Sequence, residues 1–305
     1  MNNRFTGTSL ALAFFFAAPL VPSAARAQVT DEGTPAPPSP DGMPEGKEVA
    51  PKVEEPTAGP VKKAIRAVSH EAGRYVSDSF GFLTAPAHWT PSDWQKAAGV
   101  TLVLGGLFAA DRDIDRAAQR NRSPSTDRLA SATTRFGSGF GTELSFAAVG
   151  VGLIFKNDRI RDMGREALEA SLLTAFVSNL VIKRTFGRER PYRSDGKTDF
   201  DFGSNNSSFP SGHATQAFAI ASVVAARSKG WVVPTLAYTA ASLVAFDRVN
   251  DRVHFASDVF AGAVFGTVAG RFLVHKHDRE AVGEPSKTRL DIVPIRNGLA
   301  ARLAF

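Results

Sequence analysis

The sequence predicts an all-α protein, a six-helix core bundle followed by a short C-terminal β-hairpin. Three observations carry that expectation. Six apolar blocks recur at Ala97 to Ala110, Leu144 to Phe155, Ala170 to Ile182, Ala214 to Ala226, Trp231 to Phe246 and Val259 to Gly270, separated by charged or Gly/Pro turns. With 305 residues, 43% of them hydrophobic, the chain can bury one sizeable core, so a single main domain is the default. Only at the end does the pattern change to short alternating segments, around Asn297-Gly298.

Residues 1–27 read as an export signal. Arg4 opens a basic region, Leu10 to Val21 is almost wholly apolar, and Ala25-Arg26-Ala27 has the small-x-small form cut by a signal peptidase. The apolar run falls short of the ~20 residues that span a bilayer, which favours cleavage over a retained anchor. The expected location is therefore periplasmic or cell-envelope associated, with an integral membrane protein as the alternative. No cysteine is present, so nothing in the fold rests on disulfides.

Residues 28–60 hold eight of the 18 prolines and almost no large apolar side chain, the composition of an extended, disordered linker. The helical domain is expected over 61–280. It opens with an amphipathic helix around Val61 to Val76, whose polar face carries Lys62, Lys63, Arg66 and Arg74. The apolar runs beyond it are 12 to 17 residues long, closer to buried core helices than to membrane spans. A mean hydropathy of -0.10 points the same way, toward a water-soluble or peripherally attached domain. The tail, 281–305, reads as a hairpin with Asn297-Gly298 in a type I′ turn, which sets Ile292 opposite Leu303 and Leu290 opposite Phe305.

A formal charge of +6 and a pI near 9.7 favour anionic partners, namely phosphate esters, lipid head groups or nucleic acid. Three strings narrow the choice. The first runs from Lys183 through Gly187 to Arg190-Pro191: arginine grips two phosphate oxygens with its planar fork, and lysine adds a point charge. Taken alone, the five basic residues from Lys183 to Arg193 fit a solvated patch or a nucleic-acid footprint equally well.

The second string is Pro210-Ser211-Gly212-His213, set before a helix. First-turn N–H groups there are free to face an anion, Ser211 adds a hydroxyl, and glycine permits close approach. His213 stands where it can protonate a departing alkoxide. The simpler reading makes Ser211 a helix cap and His213 a surface residue.

The third string is Arg248-x5-His254-x3-Asp258. With a helix starting near His254, the imidazole and the carboxylate share one face, so Asp258 accepts from one ring nitrogen and leaves the other electron-rich. Arg248 supplies a third cation. In isolation His-x3-Asp is an ordinary intrahelical pair.

In this order and on a six-helix core, the three strings resemble the type 2 phosphatidic acid phosphatase (PAP2) superfamily, which includes bacterial class A acid phosphatases and vanadium haloperoxidases. The resemblance covers roughly Ala97 to Val274. It implies that His254 attacks phosphorus to form a phosphohistidine, that Asp258 orients it, and that His213 protonates the leaving group. Lys183, Arg190, Arg248, Ser211 and the Gly212 N–H would hold the nonbridging oxygens. It also implies no metal and no cofactor, although vanadate can occupy the same cradle. The family usually has serine before the third-string arginine, and this chain has Asp247.

Metal-ligating patterns are sparse. Asp111, Asp113 and Asp115 resemble the opening of a calcium loop, but Arg116 and Arg122 stand where glycine and glutamate are required, so the string reads as a charged helix terminus. His275-x-His277 fits weak metal binding and the solvated end of the last helix equally well. The expected activity is hydrolysis of a phosphomonoester on a lipid or small ester, with possible contact with a membrane surface and no nucleic-acid partner. The alternatives are a vanadate-dependent haloperoxidase and a non-catalytic phosphate-lipid binding protein of the envelope.

Overall fold

The computed structural model describes residues 73–304, apart from 136–138, 140, 194–199, 205, 284–288, 296 and 297. The expected signal, the linker and most of the first amphipathic helix lie outside the described residues. The chain divides into two units, Met1–Glu71 and Ala72–Phe305, and all the described residues belong to the second.

Residues 73–84 form α1, and a 3-10 turn, Ala85–His88, leads out of it. Helix α2, Pro91–Arg120, starts at a capping box: Asp93 N–H donates to Thr90 Oγ1 at 3.3 Å and Thr90 N–H to Asp93 Oδ2 at 3.1 Å, with Pro91 in the first turn. Next come α3, Pro124–Arg135, and α4, Gly141–Ile154. Helix α5, Asp158–Phe176, is capped by Asn157 and runs through a π segment, Val177–Ile182, into the single turn α6, Lys183–Phe186. Gly187, at φ 53°, ends that rod in the left-handed conformation glycine tolerates. Helices α7, Gly212–Arg227, α8, Val232–Asn250, and α9, Ala256–Ala281, complete the helical part.

All six apolar blocks lie on helical segments or within one residue of them: α2, α4, α5 with its π segment, α7, α8 and α9. The helices outrun the blocks because charged residues extend them, α2 to Arg120 and α9 to Ala281. Helix α3 escapes an apolar-block search because Pro124–Arg135 carries one large apolar residue, Leu129.

The centre is a sandwich of α5, α7 and α9, built from Ala167, Ala170, Leu173, Ala219, Val223, Ala269, Leu273 and Val274. Small residues make it tight. A Cβ at Gly262 would stand 2.6 Å from the Ser211 carbonyl, and one at Gly266 would run into the Thr215 carbonyl and stand 2.8 Å from the Ala219 nitrogen. This stripe lets α9 lie backbone-to-backbone on α7, which brings the start of α7 beside the start of α9. Gly266→Val is accordingly expected to cost at least about 1–3 kcal/mol through overpacking. A thermal melt checks it; an unchanged melting temperature would mean that the helices have room to spare.

A second cluster, Val177, Ile182 and Phe209 with Phe108, Phe186 and Phe200 against it, pins the loop after α6 to the bundle. Asp201 N–H donates to the Gly187 carbonyl at 3.2 Å and Ser208 N–H to the Arg188 carbonyl at 2.9 Å. Of the loop Tyr192 to Phe209, residues 194–199 and 205 lie outside the described residues.

At the end of the chain, β1, Arg289–Ile295, pairs antiparallel with β2, Gly298–Ala304. The expected register is corrected: Ile292 stands opposite Ala301 and Leu290 opposite Leu303, so the pairing closes at Ile295 and Gly298. The two registers differ by two residues, one full period of strand alternation. Apolar alternation therefore cannot distinguish them.

Large apolar side chains are exposed on α4 and just beyond it, Phe146, Leu153, Ile154 and Phe155, and around the start of α8, Trp231, Val232 and Leu236. Among the described residues one helix, Ala256–Ala281, is long and apolar enough to cross a membrane, and half of its apolar window is buried inside the domain.

Candidate active site

The three strings meet around the first turn of α9. Ser211 N–H donates to the Asp258 carbonyl at 3.0 Å, which ties the second string to the third. Tyr192 N–H donates to the Arg252 carbonyl at 3.2 Å, and so ties the first to the third. Lys183 Nζ lies 3.3 Å from where a Gly212 Cβ would be, which places the ammonium at the first turn of α7. The π segment just before Lys183 shifts its side chain relative to the α5 face, a common use of such bulges at functional sites.

Ser211 is the N-cap of α7, fully buried, its Oγ accepting from Ala214 N–H at 3.5 Å. The simpler reading of this serine as a cap thus describes part of what it does. The Gly212 and His213 N–H groups occupy the first helical turn, where no carbonyl one turn back can take them.

His254 lies two residues before α9, 4% exposed, and its backbone N–H donates to the Arg248 carbonyl at 3.1 Å. Its Nδ1 stands 3.7 Å from Asp258 Oδ2 and makes no hydrogen bond. The direct Asp258 to His254 hydrogen bond expected from the spacing is therefore replaced by a longer contact of 3.7 Å, the carboxylate being engaged elsewhere. Oδ2 accepts from Ser208 Oγ at 2.6 Å and from Phe255 N–H at 2.9 Å, while Oδ1 accepts from Arg188 Nη1 at 2.6 Å.

Arg188 is the residue that sequence reasoning missed. Fully buried, it donates through Nη1 to Asp258 and Ser257 (2.6 Å each) and through Nη2 to Asp111 Oδ2 at 2.7 Å. The guanidinium centre lies 4.8, 5.3 and 4.2 Å from the ring centres of Phe108, Phe200 and Phe255. Asp111 also accepts from Ser257 N–H at 2.9 Å. The reading of Asp111 as part of a charged helix terminus is corrected: it is fully buried and clamps α2 to the start of α9. The available signal was a carboxylate at the edge of an apolar block, three residues after Phe108.

Arg190 Nη2 donates to Ser207 Oγ at 3.4 Å. Arg248 is 8% exposed and its guanidinium is held by the neighbouring Asp247, Nε to Oδ2 at 2.9 Å. Asp247 thus partly neutralises the arginine that the sequence offered as a third phosphate cation.

Electrostatics bind the group together. Burial, then the charges of Arg248, His254, Lys183 and Arg190, push the His213 pKa down to about 4. Burial also lowers His254, opposed by Asp258 and assisted by Arg190 and Lys183. Lys183 is lowered by burial and by Arg190, against Asp258. Burial works to raise Asp258, but Arg188, His254 and Ser208 together hold it below the usual carboxylate range. A pocket with this balance favours an anion. An unfolded histidine titrates near about 6.5, so on acidification the unfolded chain takes up the proton first. The stability that neutral His213 contributes is present above about pH 6.5 and is lost as the pH falls toward 4. Imidazole NMR titration is expected to place His213 near 4 in the free protein and to move it upward when inorganic phosphate is added; an unchanged value with phosphate bound would mean that the anion sits elsewhere.

Comparison with known proteins gives a partial match to one family. Residues 167–281 match the PAP2 superfamily. All eight expected site residues and Arg188 fall inside the PAP2 segment, and Asp111 is contributed from outside it. The matched region starts within α5, so α2 to α4 precede it and the resemblance expected from Ala97 onward is covered only from residue 167. Over 118 residues the chain is 33% identical to a lipid A 1-phosphatase of Porphyromonas gingivalis, an alignment covering 37% of this chain and 24% of that protein. The chain thus matches about a quarter of that relative's length. Two solved structures are similar: Aquifex aeolicus LpxE, 22% identical with a TM-score of 0.42, covering 54% of this chain and 94% of that one, and a transmembrane PAP2 type phosphatidylglycerolphosphate phosphatase from Bacillus subtilis, 24% identical with a TM-score of 0.48, covering 60% and 96%.

Proposed function

We propose that this protein hydrolyses phosphomonoesters carried on lipids, through a phosphohistidine and without a metal at phosphorus. One observation supports the reading: backbone hydrogen bonds tie the three strings together, and the charges of Arg248, His254, Lys183 and Arg190 all bear on His213, a basic setting suited to a phosphate dianion. A phosphate dianion entering it reverses the repulsion that keeps His213 neutral, so His213 takes up a proton as substrate binds. His254 has Nδ1 toward Asp258, which leaves Nε2 for phosphorus. Its lone pair forms the N–P bond while the P–O bond to the leaving group breaks, and His213 hands its proton to the departing alkoxide. Neutral His213 then takes a proton from water, the oxygen attacks phosphorus, and the N–P bond breaks to release phosphate and restore His254. Lys183, Arg190, Arg248 and the first-turn N–H groups of α7 stabilise the charge on the nonbridging oxygens, the task Mg²⁺ performs in other phosphoryl-transfer sites.

The lipid part of the proposal rests on exposed aromatic and aliphatic side chains near α4 and the start of α8, on the basic balance of the chain, and on the lipid A 1-phosphatase relative. With the export signal expected at 1–27, the enzyme works at the periplasmic or envelope face of a membrane. In EDTA, the full chain is expected to release phosphate from a lipid phosphate in mixed micelles with kcat/KM at least tenfold above that for p-nitrophenyl phosphate, the tenfold ratio corresponding to about 1.4 kcal/mol. A preference for the soluble ester would remove the lipid reading. Failure to release phosphate from any ester would remove the hydrolase reading and favour a binding protein.

A further inference from the structure

A second polar cluster lies at the other end of α9. From Asp258 to His277 the helix rises about 28 Å, which takes it away from the phosphate pocket. Here Asp78 of α1, Glu169 of α5 and His277 of α9 present one ligand atom each, all within 4.8 Å of one another. Asp78 is fully buried and Glu169 is 1% exposed. Neither Glu169 oxygen has a hydrogen-bond partner, although burial this deep ordinarily requires one. Its nearest cationic groups are Arg74 Nη2 and His277 Nε2, 3.5 and 3.6 Å from Oε2.

The imidazole is oriented as a metal ligand would be. His277 Nδ1 stands 3.1 Å from Glu166 Oε1, and Glu166 is in turn held by Arg227, Nε to Oε2 at 2.6 Å. A histidine whose Nδ1 proton goes to a carboxylate has the usual support of a metal-bound histidine; here Nε2 faces Asp78 as a donor, and a bound cation would displace that proton. That nitrogen lies 3.2 Å from Asp78 Oδ2 and 3.6 Å from Glu169 Oε2. Ligands at ~2.0–2.1 Å from a tetrahedral zinc ion are roughly 3.3 Å apart, a value between these two spacings. Lys276 is bonded to the other oxygen of Asp78, Oδ1, which leaves Oδ2 facing inward.

We propose that Asp78, Glu169 and His277 form a structural site for a divalent cation of zinc type, clamping α1 to α5 and α9. The cation bridges the two carboxylates and the imidazole, and gives Glu169 the short contact that Arg74 and His277, at 3.5 and 3.6 Å, do not make. The site takes no part in phosphoryl transfer and is independent of the proposed activity.

The test uses full-length, untagged protein stripped with EDTA and exchanged into chelator-free buffer. Calorimetric titration with Zn²⁺ is expected to show one equivalent bound, with a rise in melting temperature as the ion binds the folded state. Glu169→Gln and His277→Gln are each expected to weaken Zn²⁺ binding at least a hundredfold, and Glu166→Gln about 10–100-fold, as for a supporting carboxylate. Far-UV circular dichroism of each variant reports folding separately from activity, so a failure here is distinguishable from a failure of the phosphatase reading. Wild-type protein that binds no stoichiometric Zn²⁺, or a folded Glu169→Gln that binds it as tightly as wild type, would overturn the proposal. A proton on Glu169 would then hold the two acids together.

Discussion

Arg188→Ala is expected to destabilise the protein by about 3–5 kcal/mol, since removing one partner of a buried ion-pair network leaves the others uncompensated. The side chain is wholly enclosed and serves two buried carboxylates, Asp111 and Asp258, which lie on different helices. Its loss strands both charges and opens a space among Phe108, Phe200 and Phe255. Arg188→Lys is not expected to rescue, because a single ammonium cannot reproduce a fork that reaches Asp111 with one nitrogen and Asp258 and Ser257 with the other. Chemical denaturation measures the loss. A melting curve for Arg188→Lys that overlays wild type would show that the network contributes charge alone and not geometry.

His254→Ala is expected to reduce phosphate release by roughly four orders of magnitude or more, the scale seen when a nucleophile is removed from a site that acts as a unit. Stability should change little in the acidic direction, because the buried imidazole is disfavoured as a cation and its removal abolishes that penalty. Asp258 retains Arg188, Ser208 and the Phe255 N–H after the substitution, so the start of α9 remains anchored. Steady-state kinetics on a lipid phosphate, with circular dichroism as the fold control, measures the effect. A variant that keeps a tenth of wild-type turnover would remove His254 as the nucleophile.

Much of this site was legible because its residues obey local rules. Ser211 before a helix and Gly212 in its first turn are short-range patterns and both lie at the start of α7, whereas His254 of the His-x3-Asp pattern lies two residues before α9 and stands 3.7 Å from Asp258. What escaped was long-range. Arg188 belongs to a run of basic residues that looks solvated in sequence, and only the fold encloses it among three phenylalanines. Asp111 sits at the boundary of an apolar block, where a carboxylate reads equally well as a helix terminus or a buried partner. Its meaning depends on α9, more than a hundred residues away. Helix α3 was missed for want of apolar residues, and the register of the tail because a two-residue slip preserves the faces. The cluster of Asp78, Glu169 and His277 joins three distant helices, so no local spacing announces it.

Asp247 shows a different limit. Its position one residue before Arg248 is plain in the sequence, but whether it faces phosphate, solvent or its neighbour is decided by the end of α8. There it takes the guanidinium for itself, which leaves Arg248 partly neutralised although its charge still bears on His213.

The central claim is that His254 carries the phosphoryl group between two half-reactions. Wild-type enzyme mixed with a phosphomonoester, quenched in base within one turnover and digested for mass spectrometry tests it most directly. The account predicts one acid-labile phosphoryl group on the peptide containing His254 and none in His254→Ala. Steady turnover with no phosphorylated histidine, or with the label on His213, would contradict it.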